Sequence, residues 1–258
     1  MTPLSPPVRA LLLDLEGTVF QNGSLIPGAA RALEEASRRG IPYAFVTNAT
    51  SRPRSEIVRE LAAMGLATEP SRIFTAPRAA REHLLARGVE RAHFLLRPSL
   101  LEDFEGIEAV EDGADAVILG DLGDGMTYAR LNHAFRLLLA GAELVALARN
   151  RYWRGADGWM LDTGPFVAAL EQASGRTAAL TGKPSREFFA GALVSLNASP
   201  EHAICVGDDL ESDVGGAQSA GMRGALVRTG KFRPGDLERS PVSPDAVLDS
   251  IADLPGLL

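Results

Sequence analysis

The stretch LLLDLEGTVF, residues 11–20, decides the fold. Its three leucines form an apolar run typical of a buried strand, and the run passes directly into two acidic residues, Asp14 and Glu16, followed by a Gly-Thr turn. An unpaired carboxylate that is removed from water is energetically costly. We therefore expect a ligand or a counter-charge at the end of this strand.

Short apolar runs alternate with amphipathic stretches along most of the 258 residues, which is typical of βα units that build a parallel sheet. There are more such units than one modest sheet needs, so we predict two modules, one inserted into the other. The pattern also predicts a loop over 149–159, a strand over 177–181 and a C-terminal helix near 245–253.

Composition and charge argue against several classes of partner. The net charge of −7 leaves no basic excess to neutralise phosphates, so we expect neither nucleic acid nor an anionic membrane as a partner. No run approaches the ~18 apolar residues of a membrane span, and no secretory signal is recognisable, so we expect a cytoplasmic protein. The single cysteine, Cys205, excludes an internal disulfide and is expected to be a buried, inert thiol.

Two further predicted strands also end in polar residues. YAFVTNAT carries Thr47 and Asn48 at its end, and AICVGDD ends in Asp208 and Asp209, with Asp213 shortly after. In an open parallel sheet, ligands bind beyond the carboxyl ends of the strands, where the strand order reverses. If these ends are neighbours, at least three carboxylates meet in one crevice.

Clustered carboxylates must share a proton or bind a cation. Oxygen ligands without His or Cys suit Mg²⁺, with Mn²⁺ as an alternative. An aspartate in such a site can attack phosphorus and form an aspartyl-phosphate. The segment TGKPSREFF supplies a cation, Lys183, that would balance the phosphate charge, and its surroundings do not match a P-loop.

Some further residues have two interpretations, one functional and one structural. The aromatic residues of segment 149–159 either line the entrance to a substrate site or anchor a loop; they are Tyr152, Trp153 and Trp159. The basic residues of RTGKFRP either hold an anion or form a solvated turn; they are Arg228, Lys231 and Arg233. The histidines show no ligand spacing, and we expect surface or boundary positions for all of them: His83, His93, His133 and His202.

Four motifs together resemble those of the haloacid dehalogenase (HAD) superfamily of phosphohydrolases. They are Asp14-x-x-Gly-Thr, Thr47-Asn48, Gly182-Lys183-Pro184, and Gly207-Asp208-Asp209 with Asp213. The long insertion between the second and third motifs resembles a type IIA cap. The resemblance implies an α/β fold: a Rossmann-like parallel-sheet core over 1–77 and 180–258, with an inserted α/β type IIA cap over 78–179.

Longer stretches resemble one branch of this superfamily. RYWRGADGWMLDTGPFVAALE, GKPSREFF, VGDDLESDVGGAQSAGM and VRTGKFRP are similar to the branch that holds HAD-like hydrolase domain-containing proteins and the phospholysine phosphohistidine inorganic pyrophosphate phosphatases. The resemblance implies a small phosphorylated substrate, Mg²⁺ as the cofactor, and a homodimer, since caps of this type contribute to dimers.

The resemblance also implies a role for each motif residue. Asp14 would be the nucleophile, and Thr47, Asn48 and Lys183 would bind and stabilise the transferring phosphoryl group. In the metal site, Asp14, the backbone carbonyl of Glu16 and Asp208 would be ligands. Asp209 and Asp213 would belong to the same site by supporting the waters of the metal or by orienting Lys183.

Glu16 departs from the pattern, because phosphatases of this superfamily usually carry a second aspartate there. The aspartate protonates the leaving oxygen and then activates water. General acid/base catalysis depends first on geometry, and glutamate carries the same carboxyl group on a side chain that is one methylene longer. The expected function is Mg²⁺-dependent hydrolysis of a small phosphate ester, phosphoramidate or pyrophosphate through an aspartyl-phosphate on Asp14, with Glu16 as acid/base. The alternative is a binding or regulatory protein that has lost turnover through Glu16.

Overall fold

The computed structural model describes residues 5–155 and 158–258. Its strands, in chain order, are β1 (Ala10–Asp14), β2 (Phe20–Gln21), β3 (Ser24–Leu25), β4 (Tyr43–Thr47), β5 (Ile73–Thr75), β6 (Arg91–Leu95), β7 (Glu108–Ala109), β8 (Ala116–Leu119), β9 (Glu143–Ala146), β10 (Tyr152–Gly155), β11 (Gly158–Leu161), β12 (Ala179–Leu180), β13 (Ala203–Gly207), β14 (Arg223–Val227) and β15 (Ala246–Leu248).

The α-helices are α1 (Ala29–Arg38), α2 (Arg54–Ala63), α3 (Ala76–Ala86), α4 (Tyr128–Leu139), α5 (Thr163–Ser174), α6 (Arg186–Ser195), α7 (Gly216–Ser219) and α8 (Asp236–Arg239). Short 3-10 helices occupy Pro70–Arg72, Pro98–Phe104, Gly123–Gly125, Pro200–His202 and Ile251–Gly256, and Leu210–Gly215 is π-helical. Among the helices of the described ranges, none combines the length and the apolar character that crossing a bilayer requires.

The chain divides into two compact units. The first comprises Met1–Thr47, Ser55–Phe74 and Lys183–Leu258, and the second comprises Asn48–Arg54 and Thr75–Gly182. The chain therefore enters the second unit twice, briefly and then for its main part, and returns to the first unit each time. The division into a catalytic core over 1–77 and 180–258 and a cap over 78–179 stays a prediction.

The first unit is built on a six-stranded sheet with the order β15-β14-β13-β1-β4-β5. Strand β1 pairs in parallel with β13 on one side and with β4 on the other. Leu11, Leu12 and Leu13 are completely buried, as expected for a central parallel strand covered on both faces. The strand order reverses beside β1, so the carboxyl ends of β1, β4 and β13 mark the place where such sheets bind ligands.

The second unit is built on a five-stranded parallel sheet with the order β12-β9-β8-β6-β7. Successive residues of β8 point to opposite faces of this sheet. Ile118 packs into one apolar cluster together with Leu84 of α3, whereas Val117 packs into another with Leu138 of α4. Strands β10 and β11 form a separate antiparallel hairpin. The predicted fold class, α/β with parallel sheets, is confirmed.

Three details of the sequence-based assignment were wrong. No α-helix covers 245–253, because β15 extends the first sheet and a short 3-10 helix, Ile251–Gly256, with Pro255 inside it follows. The predicted loop over 149–159 contains β10 and the start of β11, whose aromatic residues favour strands, while residues 156 and 157 lie outside the described residues. The predicted strand 177–181 is reduced to β12, which pairs with β9 in the second unit.

Candidate active site

A buried lysine joins two aspartates at the carboxyl edge of the first sheet. Asp14 is the last residue of β1, and Lys183 Nζ donates to its Oδ1 at 2.6 Å. The same ammonium donates to Asp213 Oδ1, also at 2.6 Å. All three residues are more than nine-tenths buried. Hydrogen bonds to charged groups are roughly twice as strong as neutral ones, so this cluster fixes the side chain of Asp14.

Asp208 follows β13 directly and lies in a narrow backbone cradle. Its Oδ2 accepts a hydrogen bond from the backbone N–H of Lys231 at 2.7 Å. A Cβ atom on Gly17 would lie 2.1 Å from this oxygen, and one on Gly230 would lie 2.0 Å from it. Both glycines also have positive φ, +85° and +63°, which residues with a Cβ adopt at a cost. The close approach of Asp208 therefore depends on glycine at these two positions.

Asp209 begins the π-helical segment that carries Asp213. Its Oδ1 accepts from the backbone N–H groups of Glu211 and Ser212, at 3.1 and 3.0 Å. Its Oδ2 lies 3.2 Å from Lys231 Nζ. Burial opposes ionisation, but the N–H of Ser212 and the charge of Lys231 hold the pKa of Asp209 below its ordinary value. Asp209 thus has the contacts of a helix cap and an ion-pair partner.

Burial and the concentration of negative charge shift the acids of the site. Burial raises the pKa of Asp14, and burial together with neighbouring carboxylates raises the pKa values of Asp208 and Asp213 to about 6. Burial alone would lower the pKa of Lys183, but Asp14 and Asp213 outweigh it and raise that pKa above its ordinary value. The site therefore contains an ammonium that stays charged and carboxylates that lack sufficient counter-charge.

The residues present fit a hard divalent cation. Asp14, Asp208 and Asp213 each offer a carboxylate oxygen, and these atoms lie within 4.8 Å of one another. Lys183 supplies one buried positive charge against three buried carboxylates, and the exposed ammonium of Lys231 is paired with Asp209, so negative charge remains to be balanced. An all-oxygen donor set suits Mg²⁺ or Mn²⁺ rather than Zn²⁺.

The structure places the other predicted site residues as follows. Thr47 is the last residue of β4 and is buried, at the same edge of the sheet as Asp14. Asn48, the next residue, belongs to the second unit. Glu16 is exposed in the turn after β1, where its backbone forms an isolated bridge with Phe20, and its side chain is not among the grouped carboxylates.

The ambiguous aromatic and basic residues are mostly exposed. Tyr152, Trp153 and Trp159 lie on the β10–β11 hairpin with 55%, 49% and 69% of their surface accessible. Arg228 pairs with Asp249, and Arg233 donates to backbone carbonyls of its own segment, 230–232. Lys231 contacts Asp208 through its backbone N–H and Asp209 through its ammonium.

Sequence reasoning missed one contributor to the site. The Gly230-Lys231 backbone holds Asp208, and its only sequence signal is a glycine before the lysine in RTGKFRP. Such a glycine is equally typical of an ordinary turn. The contact between Lys231 and Asp208 becomes recognisable only from the structure, in which β14 pairs with β13.

Two family models match the chain, one in its N-terminal part and one in its C-terminal part, and their descriptions agree. Residues 11–108 match the family described as haloacid dehalogenase-like hydrolase, and residues 180–254 match the one described as HAD-hydrolase-like. The matched segments contain the acidic end of β1, Lys183 and the aspartates that follow β13.

Several known proteins are similar to this chain over nearly its whole length. Haloacid dehalogenase-like hydrolase domain-containing protein 2 of Homo sapiens is 40% identical over 232 residues, which cover 90% of this chain and 88% of that protein. The phospholysine phosphohistidine inorganic pyrophosphate phosphatase of Rattus norvegicus is 36% identical over 257 residues, covering 97% and 94%. The 4-nitrophenylphosphatase of Thermotoga maritima superposes with a TM-score of 0.89 at 31% identity, covering 96% and 97%.

Proposed function

Because the chain belongs to the haloacid dehalogenase-like hydrolases and is a phosphohydrolase, we propose that it hydrolyses a small phosphate ester, phosphoramidate or pyrophosphate through an aspartyl-phosphate on Asp14. The observation that carries this proposal is the 2.6 Å contact between Lys183 Nζ and Asp14 Oδ1. A carboxylate held by a buried ammonium is oriented for attack, and the ammonium remains beside the phosphoryl group as charge develops.

In the first step, a carboxylate oxygen of Asp14 attacks phosphorus and forms a new P–O bond. The bond from phosphorus to the leaving oxygen or nitrogen breaks, its electron pair stays with the leaving group, and the carboxylic acid of Glu16 supplies the proton. Thr47 hydrogen-bonds the transferring group, and Lys183 stabilises its charge.

In the second step, the Glu16 carboxylate takes a proton from water while the water oxygen attacks phosphorus. The P–O bond to Asp14 breaks, the carboxylate is restored, and inorganic phosphate leaves. Glu16 is protonated again and ready for the next cycle.

Mg²⁺ would be held by Asp14, Asp208 and the backbone carbonyl of Glu16, with Asp209 and Asp213 as outer supports. When bound, the ion withdraws charge from phosphoryl oxygens. The dense negative charge of the grouped carboxylates supports this proposal. The backbone N–H of Lys231 orients Asp208, and Lys183 orients both Asp14 and Asp213.

The test is release of inorganic phosphate with and without Mg²⁺. The panel contains 4-nitrophenyl phosphate, phosphohistidine, phospholysine and pyrophosphate, the substrate types that the names of the similar phosphatases suggest. The proteins are the wild type, Asp14→Asn, Glu16→Asp and, as a matched control, Asp249→Asn, whose carboxylate is on the surface.

We expect Mg²⁺-dependent release by the wild type and by Asp249→Asn, and none by Asp14→Asn. Turnover that survives in Asp14→Asn would contradict the aspartyl-phosphate. A silent wild type with an active Glu16→Asp would instead support the alternative, a phosphatase fold retained for binding.

A further inference from the structure

The fold brings together two histidines of the second unit that the sequence keeps apart. His93 lies on β6 and His133 on α4, and their rings meet edge to face with centroids 5.0 Å apart. The expected surface or boundary position was wrong for His93, which is only 6% exposed. His93 points to the same side of the sheet as Leu95, because alternate residues of a strand share a face, and Leu95 packs against helix α4.

The loop between β7 and β8 adds acidic groups to this histidine pair. One ligand atom each from His93, Glu111 and His133 lies within 4.8 Å of the others. The Nδ1 atom of His93 is 3.6 Å from the carboxylate of Glu111, and the Nε2 atom of His133 is 3.7 Å from the carboxylate of Asp112. Two imidazoles thus face two carboxylates within one small volume.

The hydrogen bonding of the pair is incomplete in the part of the chain that the structure describes. His93 Nδ1 lies 3.2 Å from the carbonyl oxygen of Val110, and His133 Nε2 lies 2.6 Å from that of Glu111. The second ring nitrogen of His93, Nε2, is buried without a hydrogen-bond partner. A buried polar atom without a partner costs roughly 1–3 kcal/mol, so packing alone does not favour histidine at this position.

We propose that His93, Glu111 and His133 bind a transition-metal ion of the Zn²⁺ class, with Asp112 as a further ligand. Two imidazole nitrogens with carboxylate oxygens are a donor set that Zn²⁺ accepts, at N and O distances of about 2.0–2.2 Å. The side chains of Glu111 and Asp112 are 87% and 89% exposed, so both can rotate toward an ion without disturbing the core. Mg²⁺ does not compete well here, because it prefers oxygen ligands alone.

The bound ion would tie the loop after β7 to helix α4. His133 Nε2 now contacts the Glu111 carbonyl oxygen and lies near the Asp112 carboxylate, and coordination of the ion by this nitrogen would replace the contact with the carbonyl. The ligating nitrogens must be free of protons, so affinity falls as the pH is lowered. The site is built from the second unit alone, whereas the grouped aspartates belong to the first, so it does not depend on the proposed phosphatase chemistry.

The test is Zn²⁺ binding by the full chain in excess Mg²⁺, measured by equilibrium dialysis with metal analysis and by calorimetry. The variants are His133→Gln and Glu111→Gln, with His83→Gln as the matched control. His83 also belongs to the second unit and pairs with a single carboxylate, that of Glu143, at 2.9 Å. Thermal unfolding of each apoprotein verifies that the chain folds, and the visible absorption of bound Co²⁺ reports coordination directly.

We expect wild type and His83→Gln to bind Zn²⁺ alike, and both cluster variants to lose at least about tenfold in affinity, the loss typical of disturbed metal sites. Absence of Zn²⁺ binding by the wild type would overturn the proposal. It would equally be overturned if Asp208→Asn abolished all Zn²⁺ binding while His133→Gln bound as the wild type does, because the ion would then occupy the aspartate group.

Discussion

The Nζ atom of Lys183 lies 2.6 Å from Oδ1 of Asp14, and both side chains are at least nine-tenths buried. The same ammonium also serves Asp213 at 2.6 Å. Bringing three charges out of water is costly, and their mutual attraction offsets that cost only while all partners are present. The arrangement is therefore both a functional feature and a point where the fold is sensitive to substitution.

We expect Lys183→Met to lose phosphatase activity and to lower the free energy of unfolding by about 3 kcal/mol, because Asp14 and Asp213 would remain buried without their counter-charge. Chemical denaturation measures the change. The matched control is Lys231→Met. Lys231 also forms an ion pair with an aspartate, but its side chain is 71% exposed, so its removal should cost less than about 1 kcal/mol.

A second substitution separates charge balance from loss of packing. Asp213→Asn, combined with Lys183→Met, removes one of the stranded charges and should restore part of the lost stability but none of the activity. Equal stability of the single and double variants would contradict the electrostatic explanation.

Gly17→Ala should lower activity by about 100-fold or more, because the added Cβ would lie 2.1 Å from Asp208 Oδ2 and displace it, and a shift near 1 Å in a catalytic site has about that cost. Gly23→Ala is the matched control. Its φ of +72° is also positive, but nothing lies within 4 Å of the added atom.

The two alanine variants should share the backbone strain, of the order of 1–2 kcal/mol, and differ in Mg²⁺-dependent activity. Steady-state kinetics and thermal unfolding together make the comparison. Full activity in Gly17→Ala would show that catalysis does not require Asp208 to lie this close to the backbone of residue 17.

The main elements of the site could be predicted because each has a strong local signal. An apolar run that ends in an acid predicts both the strand and the functional edge, and this holds for Asp14 after β1 and Asp208 after β13. Lys183 was recognised from its neighbours Gly182 and Pro184. The position of Lys183 between Asp14 and Asp213 was not predictable in detail, since it depends on how distant segments pack.

The missed features are short or depend on distant contacts. Strand β15 has three residues, too few to show a period, and it is held by pairing with β14. His93 and His133 lie on a strand and a helix that only the tertiary packing brings together. Sequence spacing therefore gave no indication of a cluster.

Asp103 should make the stability of the second unit depend on pH. Its carboxylate accepts from the backbone N–H of Arg54 at 3.0 Å, yet burial raises its pKa above the ordinary 3.8. A raised folded-state pKa means that the folded chain holds the proton more tightly than the unfolded chain does. The contribution to stability is complete below 3.8 and is lost as the pH rises through the folded-state pKa.

We therefore expect Asp103→Asn, which keeps an oxygen acceptor for Arg54, to gain stability relative to the wild type as the pH rises from about 4 to 7. Thermal unfolding across this range measures the difference, with the exposed Asp249→Asn as the control. A constant difference between Asp103→Asn and wild type would show that this carboxylate does not titrate differently in the folded chain.

Glu16→Gln should lower the turnover number by roughly 100- to 10,000-fold, the usual contribution of a general acid or base, because the amide can neither donate the proton to the leaving group nor accept one from water. The melting temperature should not change, since the side chain is exposed and the bridge to Phe20 uses the backbone of the turn. Steady-state and single-turnover kinetics with 4-nitrophenyl phosphate measure the effect.

The leaving group distinguishes acid catalysis from a general disturbance of the site. 4-Nitrophenolate leaves without much help from a proton, so the first step should suffer less in Glu16→Gln than the hydrolysis of the aspartyl-phosphate, which needs a base. A phosphorylated enzyme should therefore accumulate in this variant and be absent from Asp14→Asn, as intact-mass measurement after acid quenching would detect. Wild-type turnover in Glu16→Gln would show instead that the glutamate carries no proton in either step, and that the exposed turn after β1 only supports the backbone carbonyl of residue 16.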